Sequence, residues 1–182
     1  ISGNTTFKNL SFYSDGTTDG IYTIPSGNAL TVEGEFRVEG NKPFYLNGNV
    51  NAQGNITAFY GSTSITDGGT GTITINGTGD QLFSGYDAPK GSRLCNIVID
   101  KVSGTLTLDK YLTPEHNWTH IKGTMDPGTS TIYFTNSGGR KTVSGKNKFN
   151  NVVFYGELYN NDTTTVVDTM SVAGELKYAL KE

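Results

Sequence analysis

Two histidines flank the chain's one tryptophan in Glu115-His116-Asn117-Trp118-Thr119-His120. On a single strand, residues 116, 118 and 120 would share a face, so His116 and His120 raise the question of a metal. A third ligand is not evident and the spacing is not a zinc signature, so no metal is expected. Asp15, Asp19 and Asp67 sit in Gly-rich stretches, where calcium-binding solenoids place carboxylates. The nonapeptide calcium repeat is absent, and turn chemistry accounts for these residues. Asp100, Asp109 and Asp168, with Lys101, Lys110 or Arg140, contain the acids and bases that polysaccharide cleavage would need. Nothing in the sequence brings them to one place, so no catalytic residue and no cofactor is assigned. Tyr86, Tyr111, Trp118 and Tyr159 are the aromatic residues that could stack on sugar rings, against the commoner role of such residues in cores and interfaces.

These residues belong to a chain of short strands. Glycine is 24 of 182 residues, well above the usual ~7%, and charged residues are only 17%. Period-2 alternation recurs, as in Leu30-Thr31-Val32, Ile73-Thr74-Ile75, Leu106-Thr107-Leu108 and Ile132-Tyr133-Phe134, and marks strands with one buried face. Clusters such as Pro25-Ser26-Gly27, Asn76-Gly77 and Asp126-Pro127-Gly128 punctuate them with the positive φ angles of tight corners. The only stretch that invites a helix, 173–182, repeats the Gly-Glu-apolar pattern of Gly34-Glu35-Phe36 and reads as strand.

A second pattern is a repeat. Phe7-Lys8-Asn9-Leu10-Ser11-Phe12 returns as Leu94-Cys95-Asn96-Ile97-Val98-Ile99 and as Phe149-Asn150-Asn151-Val152-Val153-Phe154. Each places Asn between large apolar residues that an unbroken strand would point to opposite faces. A left-handed or bulged residue at Asn9, Asn96 and Asn151 resets that phase, and Asn tolerates the left-handed conformation; in units stacked in register these side chains could also hydrogen-bond in a ladder. Further echoes, Gly79–Gly85 with Gly139–Gly145 and Leu30–Phe36 with Met170–Leu176, divide a single all-β domain, 1–182, into units near 1–78, 79–138 and 139–182. The first unit carries an insertion.

The fold predicted is a parallel β-solenoid of about eight or nine rungs of about 20 residues. A β-sandwich or jelly roll is the alternative. The solenoid is favoured because the hairpin signal Asn76-Gly77 is nearly alone.

The stretch Trp118-x4-Gly123-Thr124-Met125-Asp126-Pro127-Gly128-Thr129-Ser130-Thr131-Ile132-Tyr133-Phe134, followed by Val143-Ser144-Gly145 and Phe149-Asn150-Asn151-Val152, resembles a Gly/Thr/Asn-rich repeat of very large bacterial secreted and surface proteins. The match covers about residues 79–178 well and 1–78 loosely. The resemblance implies an extracellular, repetitive, β-helical stalk or surface layer, and it carries no catalytic residues.

The function expected is therefore a non-enzymatic extracellular structural module, a stalk, surface-layer or filament component. Its partners would be its own copies, meeting head to tail through strand edges, or neighbouring repeats of a longer chain. A carbohydrate-binding adhesin or phage-type fibre module is the first alternative, with a glycan as partner, and a polysaccharide-degrading β-helix enzyme the second. A net charge of −3 argues against nucleic acid. No run approaches the ~18 apolar residues of a membrane span. The chain opens at Ile1 rather than Met, which reads as processing or excision. The lone Cys95 sits in an apolar strand and reads as a buried hydrophobe.

Overall fold

The computed structural model describes residues 3–14, 20–40, 44–60, 68–89, 91–135, 139–156 and 163–180. They form strands without helix, wound as coils. The first coil holds β1 (Thr5–Phe7), β2 (Leu10–Ser14) and β3 (Gly20–Thr23). The second holds β4 (Ala29–Val32), β5 (Phe36–Gly40) and β6 (Phe44–Asn47), and the third β7 (Asn49–Ala52) and β8 (Ile56–Tyr60). The fourth has β9 (Thr72–Ile75), β10 (Gln81–Ser84) and β11 (Arg93–Leu94). In the fifth, β12 (Asn96–Asp109) spans two faces before β13 (Tyr111–Pro114); in the sixth, β14 (Trp118–Asp126) does the same before β15 (Thr131–Thr135). The seventh holds β16 (Lys141–Ser144), β17 (Asn147–Phe149) and β18 (Asn151–Gly156), the eighth β19 (Thr164–Val166), β20 (Met170–Val172) and β21 (Leu176–Leu180).

Every strand pair among the described residues is parallel, each strand lying on its counterpart one coil away. This is a β-solenoid, and it excludes the sandwich, whose sheets are antiparallel. The first face stacks β1-β4-β7-β9-β12-β14-β16-β19. The second runs β2-β5-β8-β10-β12-β14, with β17-β20 continuing beyond it, and the third includes β3-β6 and β11-β13-β15-β18-β21. Parallel sheets are normally buried on both sides. Here each has one side in the core and one in solvent, which is why the strands alternate instead of being uniformly apolar.

Alternation plus register produces columns of like residues through the core. On the first face Leu30, Val50, Ile73, Ile97, Trp118 and Val143 lie above one another, all at most 1% exposed. On the second, Phe36, Ile56, Phe83 and Leu108 do the same. On the third, Leu112, Ile132 and Val152 continue the pattern. Each fully buried side chain of this kind contributes about 1.5–3 kcal/mol.

The recurring Asn motif sits at three different corners. Asn9 separates β1 from β2, Asn96 opens β12 after the third face, and Asn151 opens β18 after β17. The motif therefore encodes strand, bend, strand at any corner, and copies need not be a whole number of coils apart. This explains their unequal spacing in the sequence. Coil length varies too: hydrogen-bonded neighbours are 20 residues apart at Thr131 and Asn151 but 27 at Asn55 and Leu82.

The bends are not left-handed asparagines. The described non-glycine residues with positive φ are Ser92 and Lys110. Instead each Asn acts on the coil above. Asn9 Oδ1 accepts the Glu35 N–H at 2.7 Å, Asn96 Oδ1 that of Asn117 at 3.2 Å, and Asn151 Oδ1 that of Glu175 at 2.8 Å. Asn4, Asn55, Asp80 and Asn117 make the same clasp to Ala29, Leu82, Thr105 and Thr142. At a corner the backbone leaves the sheet ladder, and the side-chain oxygen pairs a donor that the bend would otherwise strand. The Gly-Glu-apolar sequence is the other half of this clasp. Gly34 and Gly174 lie so close under Asn9 and Asn151 that a Cβ would overlap the amide oxygen.

Candidate functional site

Three tyrosines cross the outer side of the third face on a diagonal. Tyr111 on β13 is in register with Thr131, Tyr133 on β15 with Val153, and Tyr155 on β18 with Thr135. Each is thus one coil up and two residues along from the last. Two residues along a strand are ~6.6 Å and neighbouring strands ~4.8 Å apart, so successive Tyr backbones are about 8 Å apart. The Tyr111 and Tyr133 rings touch, with centroids 5.9 Å apart at 51°. Burial, reinforced by Tyr111 and Glu175, raises the Tyr133 pKa above its ordinary value.

These rings line an open groove of about 380 Å³ with Thr131, Asn151, Val153, Glu175, Lys177, Ala179 and Pro89. Its wall at one end is the segment after β10. Tyr86 pairs with Tyr111 in an antiparallel bridge, each N–H donating to the other's carbonyl at 3.1 Å. The Tyr86 ring packs edge-on against Phe59 at 5.0 Å, and Lys110 lies over Phe59 while pairing with Asp87 at 2.8 Å.

Of the aromatic residues singled out from the sequence, Tyr111 lines this groove, and Tyr86 is half-buried beside it, its backbone bridged to Tyr111 and its ring on Phe59. Trp118 is not available to a ligand. It is fully buried, donates its indole N–H to Asn147 Oδ1 at 3.0 Å, and meets Phe149 edge-on at 5.6 Å. It falls in the inward column of the first face, where the alternation of β14 points it. Tyr159 lies outside the described residues, as do Asp15, Asp19 and Asp67. Tyr133 and Tyr155 were missed. The available signal was a tyrosine at the same interval from 111 to 133 to 155, one coil plus a small slip.

The two histidines do not share a strand face: His116 precedes β14, and its Nε2 is buried without a partner. The His120 ring nitrogens face the Lys146 and Gly123 carbonyls at 2.9 and 3.1 Å. Among the described residues no three His, Cys, Asp or Glu side chains cluster as a metal site. Asp100, Asp109, Asp168, Lys101 and Lys110 have separate structural partners, and Arg140 is exposed. Asp100 pairs with Lys122 at 3.4 Å, Asp109 accepts from Ser84 and Thr129, and Asp168 accepts the Gly145 N–H. Lys101 is buried where β12 bulges between faces, and donates to the Gly77 and Gly79 carbonyls and Gln81 Oε1 at 2.6, 2.9 and 2.6 Å. Burial lowers its pKa and nearby Asp80 opposes that shift. A buried ion pair, Arg93 to Glu115 at 2.9 Å, joins the fourth and fifth coils, and Thr135 of the sixth donates to the same carboxylate at 2.7 Å. These buried charges staple coils together.

Thr72 and Thr74 face outward on the first face. Its outer column there reads Thr31, Asn51, Thr74, Val98, Thr119, small and mostly polar but not a uniform threonine array.

Fold and surface together define a parallel β-solenoid repeat protein. No protein-family model, no characterised protein and no solved structure matches the chain.

Proposed function

We propose that this chain is a non-enzymatic structural module, a length of stiff extracellular rod that extends head to tail through the open end of its stack. The observation that carries this is the last coil. Leu176 is in register with Val152 and Tyr178 with Phe154, so both occupy core columns. Val152 is fully buried, whereas Leu176 is 59% and Tyr178 69% exposed. Val166, in the column of Trp118 and Val143, is also exposed. The backbones of β19, β20 and β21 pair on one side only among the described residues.

A further coil laid on this end would bury these side chains at about 1.5–3 kcal/mol each and extend all three sheets. The first coil offers a matching layer. Phe7, Leu10 and Tyr22 are partly buried against the core beneath them, in the same triangular arrangement. A second copy, or neighbouring repeats of a longer chain, could therefore lay such a coil on this end, and a contact between unlike ends of separate copies propagates as a filament. An extracellular setting is the part of this reading that rests on the sequence motif around Trp118–Val152.

Sedimentation velocity over rising concentration tests it. The wild type is expected to grow in average mass, and Leu176→Lys, which puts a charge in the end layer, to remain monomeric with an unchanged far-UV spectrum. A wild type that stays monomeric throughout, or a variant that associates equally well, overturns the head-to-tail reading.

A further inference from the structure

We propose that the groove on the third face binds a neutral oligosaccharide, with Tyr111, Tyr133 and Tyr155 as the platform and Asn151, Glu175 and Lys177 as the hydrogen-bonding groups. The tyrosine platform lies on the side wall of the solenoid, while Glu175 and Lys177 sit on the last coil beside its open end.

The argument begins with what a sheet face can offer. The backbone N–H and C=O groups of β13, β15 and β18, which carry the three tyrosines, are committed to the inter-coil ladder on both sides. A ligand lying across them is read by side chains alone. An extended peptide gains most of its affinity from unpaired strand edges, and the strands beneath the three tyrosines offer none, which disfavours a peptide across the platform. The chain's net negative charge and the Glu175 carboxylate at the rim disfavour nucleic acid. The polar groups spread along the floor disfavour a lipid chain.

What remains is a surface of flat rings alternating with amide, carboxylate, ammonium and hydroxyl groups. A sugar ring has the complementary chemistry: one face of C–H groups that packs on an aromatic ring, and a rim of hydroxyls that both donate and accept. Tyr supplies both needs at once, a rigid apolar face and a polar tip. Glu175 accepts and Lys177 donates; Asn151, whose Oδ1 holds the Glu175 N–H and whose Nδ2 meets Thr131 Oγ1, offers its second amide proton, and Thr131 its hydroxyl proton. Glu175, immediately before β21, and Lys177 on it both line the groove and carry opposite charges, so the rim favours neither an acidic nor a basic sugar. The diagonal of about 8 Å between successive Tyr backbones spreads the platform over three coils. A chain of several sugars would be needed to cover it, and a monosaccharide would reach only one ring pair.

The test uses the whole chain with cellohexaose, mannohexaose and maltohexaose as probes, by saturation-transfer NMR and calorimetry, beside an array carrying acidic glycans. At least one neutral hexaose is expected to bind saturably, its monosaccharide at least tenfold more weakly. Tyr133→Ala and Tyr155→Ala should each weaken binding tenfold or more, Lys177→Ala severalfold, with circular dichroism unchanged. Leu176→Lys should leave affinity intact. Because a truncated Tyr133 could disturb packing with Tyr111, Tyr155→Ala and Lys177→Ala provide the second readout. Absence of binding to all three hexaoses, binding confined to acidic glycans, or binding indifferent to the Tyr155 and Lys177 substitutions overturns the proposal.

Discussion

Gly34→Ala is the substitution whose cost the corner geometry predicts most sharply. A Cβ on Gly34 would sit 2.5 Å from the Lys8 carbonyl oxygen, and closer still to Asn9 Oδ1. The first obstacle is backbone, held by the hydrogen bond that Gly34 N–H donates to that same oxygen at 2.6 Å. It cannot rotate away, so the coil must lift or the hydrogen bond must break. Overpacking typically costs 1–3 kcal/mol, and a rigid obstacle puts this site at about 3 kcal/mol. Asn9→Ala removes the clasp to Glu35 and should cost about 1 kcal/mol, the net value of one hydrogen bond. The two changes together separate the causes. In Asn9→Ala/Gly34→Ala the amide oxygen is gone but the Lys8 carbonyl remains, so the double variant should recover less than about 1 kcal/mol of the Gly34→Ala penalty. At Gly174 the main obstacle is Asn151 Oδ1, and the nearest backbone oxygen, Asn150, is 3.1 Å from the added carbon. There, Asn151→Ala/Gly174→Ala should recover most of the steric cost. Urea denaturation followed by far-UV circular dichroism gives the global effect, and amide exchange of the flanking strands localises it. Gly34→Ala within 0.5 kcal/mol of wild type, or equal rescue at both corners, refutes the reasoning.

Two further outcomes follow from buried groups. Burial pushes the Cys95 thiol up to about 12 from an ordinary value near 9, so Cys95 should resist alkylation until the chain unfolds. The folded state keeps this proton and the unfolded state loses it first. The thiol's contribution to stability is therefore complete below pH 9 and falls by about 1.4 kcal/mol per pH unit from there towards pH 12. Comparing the pH dependence of wild type and Cys95→Ala isolates that slope, and parallel curves would count against a buried thiol. Glu115→Gln leaves the buried Arg93 guanidinium without its carboxylate and should cost about 3–5 kcal/mol in urea denaturation. A loss under 1 kcal/mol would mean that solvent reaches the pair.

The sequence by itself determined the class of fold. Alternation such as Ile73-Thr74-Ile75 requires strands with one wet face, and the scarcity of hairpin turns leaves parallel stacking as the way to pair them. It also marked Asn9, Asn96 and Asn151 as bends, because only a reset of phase lets their apolar neighbours point the same way. What it could not determine was which strand lies on which. Coil length drifts, and the bend motif serves all three corners, so equal sequence does not mean equal position. Register decides direction, and direction decides role. Trp118 follows the inward phase of β14 into the core, while Tyr111, Tyr133 and Tyr155 come out on one wall because each lies one coil plus two residues beyond the last, and a step of two keeps the outward phase. Lys101 gives the clearest case. Its charge reads as surface, but the bulge in β12 turns it under the fourth coil, where three oxygens compensate the loss of water. Such placements depend on neighbours 20 or more residues away, and only the wound chain supplies them.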